Sequence, residues 1–245
     1  MDSVKFEECF YQIIGKNWTT LIDDIKPNIK NYTYDEYYRA VKDKQVYPQF
    51  KNIFRFTQYC NYEDINVVII GQDPYHSTFI HEEIEYPQAM GLCFSVDERC
   101  KKLPPSLLNI YKNMIKYNHI DTMPKHGNLE SWSNQNVLML NASLTVEAGK
   151  PNSHAKVWNY FTEELITELS KRKDNIIFVL WGNNALDIKK YIRGNQRFII
   201  SSHPSPLACS KKLKEYDSFE NTDHFGLINQ YLIEDGKQPI EWKIK

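Results

Sequence analysis

The sequence predicts an α/β fold: a three-layer α/β/α sandwich around a central, mainly parallel four-stranded sheet. Three observations predict it. Four short apolar runs, mostly β-branched, stand at 66–70 (NVVII), 136–140 (NVLML), 176–181 (IIFVLW) and 197–201 (RFIIS). Segments of helical periodicity lie between them. Each run ends in a polar signature, in turn GQDPYH, NASLTV, GNN and SHPSPL.

Continuous apolar runs of this length suit strands covered on both faces, which is the environment of a parallel sheet. The first 60 or so residues are rich in Tyr, Asn, Lys and Asp with scattered apolar positions, and predict short helices packed outside the core. Further on, Leu107, Tyr111, Met114 and Ile115 follow Ser106, a residue type suited to a helix N-cap. Val157, Phe161, Leu165 and Leu169 recur every four residues with Trp158 and Ile166 alongside. Another helix fits 185–192. Ligands of open parallel sheets bind beyond the carboxyl ends of the strands, so the four polar signatures converge where a site is expected.

A chain of 245 residues fits one domain over 1–245, with no repeat and no Gly/Ser or Pro-rich linker to divide it. Thirty basic against thirty-one acidic side chains give a net charge of −1, so no global field recruits an anionic partner. Attraction to nucleic acid would come from local groups such as Lys101-Lys102, Lys171-Arg172-Lys173 and Lys211-Lys212-Lys214. Five dispersed cysteines without a C-x-x-C pair argue against a disulfide framework, a zinc site or an iron–sulfur cluster. No apolar run is long enough to span a bilayer, and MDSVKFEE lacks the order of a signal peptide. The expectation is an intracellular protein of nucleus or cytoplasm.

Each residue at the strand ends supports two readings. Asp73 precedes Pro74, whose Cδ biases its neighbour to extended geometry and so aims the carboxylate; the same pair makes an ordinary Asp-Pro turn. His203 before Pro204 is restricted in the same way, and Pro206 stiffens the chain before Leu207. Asn141 is costly to bury without hydrogen bonds, so it either ties loops together or reads a ligand. Tyr75 and Phe94 serve equally well as core aromatics.

Taken together, GQDPYH (71–76), GLCFSV (91–96), LPPSLLNIY (103–111), VLMLNASLTV (137–146), NSHAKVW (152–158), LWG (180–182) and HPSPL (203–207) form a set. In order and approximate spacing it resembles the family 1 uracil-DNA glycosylases. The likeness extends from about Gly15, through VYPQFKNIFRFTQ at 46–58, to QPIEWK at 238–243. It implies a base-excision repair enzyme that flips uracil out of DNA and hydrolyses its N-glycosidic bond, leaving an abasic site. On this resemblance Asp73 is the carboxylate that stabilises a cationic sugar and positions water, and His203 donates a hydrogen bond to the 2-oxygen of the departing uracilate. Phe94 stacks on the base, Asn141 pairs with its edge, Tyr75 blocks the methyl of thymine and Gln72 lines the same pocket. Pro104, Pro105 and Ser106, Gly182 and Asn183, and Ser205 belong to loops that approach DNA phosphates. Leu207 is the apolar wedge that enters the duplex. The resemblance further implies a monomer without metal or other cofactor. Its partners would be uracil-containing single- and double-stranded DNA, a proteinaceous DNA-mimic inhibitor or replication proteins, and no membrane.

The chain departs from the family at three places. The segment STFIHEEIEYPQAM (77–90) is longer than the usual loop, and Gly182-Asn183 stands for the usual Gly-Ser. Beyond Leu207 a longer CSKKLKEYDSFENTD (209–223) puts Asp223 where an Arg is usual. Two rival readings are a DNA-binding subunit that lost catalysis, against which Asp73, Asn141 and His203 all stand, and a glycosylase of broader base choice, against which Tyr75 and Asn141 stand.

Overall fold

The computed structural model describes residues 8–173 and 175–244, the side chains of 26–35 excepted. Residues 1–7, the start of the expected N-terminal helical part, lie outside the described residues. In chain order the strands are β1 (Val46–Tyr47), β2 (Val67–Gly71), β3 (Thr78–His81), β4 (Ile84–Pro87), β5 (Val137–Asn141), β6 (Val146–Glu147), β7 (Ile177–Trp181) and β8 (Arg197–Ser201). The four expected strands are β2, β5, β7 and β8, each within one residue of its apolar run.

They form one sheet in the order β5-β2-β7-β8, with every pairing parallel. All residues of β2, β5 and β7 are buried, so both faces are covered, as a parallel sheet requires. Edge strand β8 is only partly buried. The register sets Gly71 opposite Asn141 and Trp181 opposite Ser201, so the polar signatures leave the sheet along a single edge.

The helices are α1 (Thr19–Val41), α2 (Pro105–Lys116), α3 (Glu130–Ser133), α4 (Ala155–Arg172), α5 (Asn183–Ile188) and α6 (His224–Glu234). The N-terminal part differs from the short helices expected: α1 runs for 23 residues and packs along α4. Leu21, Ile22, Ile25 and Tyr37 are buried, and Tyr37 meets Trp158 of α4 at 5.5 Å. Sparse apolar positions on a polar helix hid its length from the sequence. Ser106 is not a cap. Helix α2 begins two residues earlier, with Pro104 as N-cap and Pro105 in the first helical position, where proline has no needed N–H to lose. The helix expected over 185–192 is instead α5 followed by a 3-10 turn, Lys189–Tyr191.

Two aromatic clusters fill the core. Phe10, Phe54, Trp158 and Phe161 pack edge to face, while Trp132, Trp181, Phe225 and Trp242 form the other. The long segment 77–90 folds as a hairpin of β3 and β4. Its turn residues Glu82 and Glu83 both have positive φ, 49° and 65°, the geometry of a two-residue hairpin turn. Phe79 stacks on Tyr86 at 5.7 Å, and the Arg99 guanidinium lies over Tyr86 at 4.2 Å. Ile80 at the outer face is 76% exposed.

Candidate active site

In this strand order the chain leaves β2 toward β5 on one side and later returns to β7 on the other, a switch point of the kind where open sheets bind ligands. A cavity of about 490 Å³ opens at the carboxyl ends of the strands there. Gln72, Asp73, Tyr75, Phe94, Asn141 and His203 line it, with Ser106, Ser205 and Leu207 also in its wall. Nine of the residues singled out in the sequence thus meet in one place.

Asp73 hangs from the loop after β2. Its Oδ2 accepts the backbone N–H of Asn152 at 2.6 Å, and no lysine or arginine pairs with it among the described residues. Burial raises its pKa, the Asn152 N–H and the nearby His76 lower it, and the net direction is up. Asn152 is delivered by a loop tied to the same segment: Gly149 N–H donates to the His76 carbonyl at 2.9 Å.

His203 leaves the end of β8. Its Nδ1 accepts the backbone N–H of Ser205 at 3.0 Å. An acceptor Nδ1 places the proton of a neutral ring on Nε2. Burial pushes its pKa from 6.5 down to about 4, so the ring is a neutral donor at ordinary pH. Gly182 backs it. That residue has φ +89°, and a Cβ there would stand 2.9 Å from the His203 Cβ, so only glycine lets β7 turn this close to the imidazole.

Asn141 is 7% exposed at the end of β5. Gly71, its partner across the strands, makes room for it, because a Cβ on Gly71 would stand 2.4 Å from the Asn141 Oδ1. Phe94 has φ +61°, a strained conformation for a side chain of this size. Its ring packs edge-on against Trp181 at 5.4 Å and tilts toward His203 at 5.8 Å. The Tyr75 hydroxyl donates to the Phe94 carbonyl at 3.2 Å, which fixes both rings.

The remaining residues stand around this centre. Pro104 is buried, Pro105 and Asn183 are exposed, and neither they nor Gly182 touch the cavity. Leu207 is 83% exposed at the tip of a turn in which Ala208 and Cys209 N–H groups both donate to the Ser205 carbonyl. The long segment behind it is fastened: Phe219 N–H donates to Ser202 Oγ, Leu213 is buried, and Lys212 pairs with Asp217 at 3.0 Å. Asp223 caps α6 by accepting the Gly226 N–H and pairs with His119 at 2.6 Å, which accounts for an acid there. Sequence reasoning gave no role to His76, whose buried Nδ1 has no partner, or to Asn152. The GQDPYH and NSHAKVW segments that carry them were the available signal.

Comparison with known proteins agrees with this geometry. The model of the uracil DNA glycosylase superfamily matches residues 57–233. A curated uracil-DNA glycosylase of Alkaliphilus oremlandii is 39% identical over 240 residues, covering 95% of this chain and 98% of its own. One of Clostridioides difficile is 39% identical over 239 residues, covering 95% and 98%. Among solved structures, the crystal structure of mimivirus uracil-DNA glycosylase superposes with a TM-score of 0.88 at 33% identity, covering 98% of this chain and 92% of that one. With a family model matching most of its length and relatives at this identity end to end, the chain belongs to the uracil DNA glycosylase superfamily.

Proposed function

We propose that the protein excises uracil from DNA by hydrolysing its N-glycosidic bond, and that the cavity at the sheet edge is where it does so. The observation that carries the reading is the pairing of an unneutralised carboxylate, Asp73, with an imidazole whose Nδ1 is already occupied. As the bond to uracil breaks, positive charge grows on the sugar and negative charge on the base. Asp73 stabilises the first and orients the attacking water; the Nε2–H of His203 stabilises the second. Because the base leaves as an anion held by a neutral donor, no strong acid is needed. A ring that resists protonation until pH falls to about 4 suits that role.

Base choice follows from shape and donor pattern. Asn141 offers one donor and one acceptor to the edge of uracil, a mismatch for cytosine. Phe94 supplies a stacking face. Tyr75, locked through its hydroxyl, occupies the space a thymine methyl would need. Leu207 enters the duplex behind the flipped nucleotide, while Gln72 lines the base pocket. Pro104 to Ser106, Gly182, Asn183 and Ser205 approach the phosphates. The partners are uracil-containing single- and double-stranded DNA. A protein inhibitor is a further partner, supported by the solved complex of a mimivirus relative with UGI. The protein acts as a monomer inside the cell; among the described residues no helix is long and apolar enough to cross a membrane.

The test is release of free uracil from a single-uracil oligonucleotide in buffer containing a chelator. Excision by the wild type is expected, with excision by Asp73→Asn slower by about a hundredfold or more under the same conditions. No release from either strand form, or release only on adding a divalent ion, refutes the reading.

A further inference from the structure

Phe94, the ring proposed above to stack on the base, has a φ of +61°, so its place depends on the neighbours that hold it there. The Tyr75 hydroxyl fixes its carbonyl. Its ring leans edge-on against Trp181 at 5.4 Å, and Trp181 is buried at the end of β7. The indole is tied down in turn from outside the cavity: its Nε1–H donates to His224 Nδ1 at 3.2 Å.

His224 does not line the cavity. It is the first residue of α6, placed there by the Asp223 cap, and it has no exposed surface. With Nδ1 accepting, the proton of the neutral ring lies on Nε2, which donates to the Phe219 carbonyl at 3.1 Å. Both bonds need the same tautomer. Burial pushes the pKa from 6.5 down to about 3, so the ring stays neutral and keeps both. Phe219 stacks on the imidazole at 4.5 Å and meets Trp181 edge-on at 5.1 Å, so three rings close on one another. An apolar side chain would fill the same space. An imidazole adds an acceptor aimed at Trp181, and a buried indole N–H without an acceptor is costly enough to turn the ring toward one.

We propose that His224 is a positioning residue for excision: by accepting the Trp181 N–H it holds the indole at the angle that supports Phe94, and so fixes the face on which the base stacks. The proposal rests on the stacking role of Phe94 given above. His224 itself touches neither the base nor the reacting atoms.

Two variants each remove the ring and one of its two hydrogen bonds. His224→Asn sets its Oδ1 close to the place of Nδ1 and keeps an acceptor for Trp181. His224→Gln reaches further, keeps a donor for Phe219 and loses that acceptor. A merely structural role predicts similar losses in the two. Inhibition by free uracil reads the stacking face, whereas affinity for DNA carrying a tetrahydrofuran abasic site, which has no base, reads the rest of the site. In His224→Gln, uracil should inhibit about two- to tenfold more weakly, as for one hydrogen bond lost, and single-turnover excision should fall by a similar factor while abasic-DNA affinity holds. His224→Asn should recover most of both losses. In a Phe94→Ala background, His224→Gln should cost little more. Equal losses in the two variants, abasic-DNA binding that weakens in step with uracil, or a His224→Gln penalty that persists in Phe94→Ala overturns the proposal. Wild-type protein that releases no uracil would overturn the uracil reading instead. The tether is then judged by the Trp181 indole proton, whose exchange with deuterium should quicken in His224→Gln and remain slow in His224→Asn; equal exchange in the two would sink it.

Discussion

Gly71→Ala tests how tightly the fold fixes the amide proposed to read the base. Gly71 ends β2 in an ordinary conformation, so alanine meets no backbone strain, and the whole effect is steric. Its Cβ would stand 2.4 Å from Asn141 Oδ1 and 2.8 Å from Cys93 Cβ, where ordinary van der Waals contact begins at 3.4 Å. Asn141 must therefore retreat by about 1 Å, a displacement that costs about a hundredfold in rate when it misaligns a positioning group. Overpacking against Cys93 adds about 1–3 kcal/mol of destabilisation, or a Tm lower by about 2–12 °C for a chain of this size. The two effects separate in a double-mutant cycle with Asn141→Ala, read by single-turnover excision below the melting range. If the added methyl acts through Asn141, it costs little more in the Asn141→Ala background. Wild-type excision by Gly71→Ala, or losses that simply multiply, would refute the proposed route.

Four further outcomes are expected. Asp73→Asn should lower single-turnover excision by about a hundredfold or more yet raise Tm, because burial makes the charged carboxyl the form that the fold disfavours; a lower Tm contradicts this. His203 and His224 have folded pKa values pushed by burial from 6.5 down to about 4 and about 3, so the stability they confer is complete above pH 6.5 and lost as pH falls below it. Each should add about 1.4 kcal/mol per pH unit to the slope between 6.5 and its folded value, and denaturant midpoints that do not fall over this window would count against it. Tyr75→Ala should release thymine from thymine-containing oligonucleotides, and unchanged base choice in a folded variant would mean other groups exclude the methyl. Leu207→Ala should slow excision from duplex more than from single strands, and equal losses would remove the wedge role.

The parallel sheet was legible because strands covered on both faces have nowhere to put a polar residue, and β2, β5 and β7 bury every position. The cavity residues were legible for a related reason: Asp73, Asn141 and His203 stand at or just beyond the ends of β2, β5 and β8, where the chain turns polar. Contacts between distant segments were not. The Asn152 N–H that holds Asp73 comes from 79 residues away, and nothing in the local pattern of either segment announces the other. Gly71 reads as an ordinary loop glycine until the register sets it against Asn141. The length of α1 was hidden by its polar faces, and the hairpin at 78–87 by a turn whose two glutamates adopt positive φ, a role the sequence signals best with Asn-Gly or Asp-Gly. By contrast, the Ser205 N–H that fixes the His203 tautomer is two residues away, near enough for His-Pro-Ser to have suggested it.

The fold sets the charge state of two polar groups of the cavity: it holds the Asp73 carboxylate buried at a cost to stability and keeps His203 as the neutral ring, which costs nothing above pH 6.5. Asp73 is an anion with no lysine or arginine beside it among the described residues, and His203 is an imidazole barred from becoming a cation. A lysine placed against Asp73 would relieve that cost, but it would stabilise the free enzyme as much as the transition state and leave the barrier unchanged. An empty place for positive charge is useful only if the reaction fills it, as a sugar cation does when the bond to the base breaks. Phe94 follows the same logic in its backbone. Its φ of +61° costs about 1–3 kcal/mol in general, and the Tyr75 hydroxyl and the Trp181 ring hold it there. These costs are local, and the apolar core behind them is not. Strands buried on both faces and two aromatic clusters supply the rigidity that lets a carboxylate, a neutral ring and a strained aromatic persist at the mouth of one cavity.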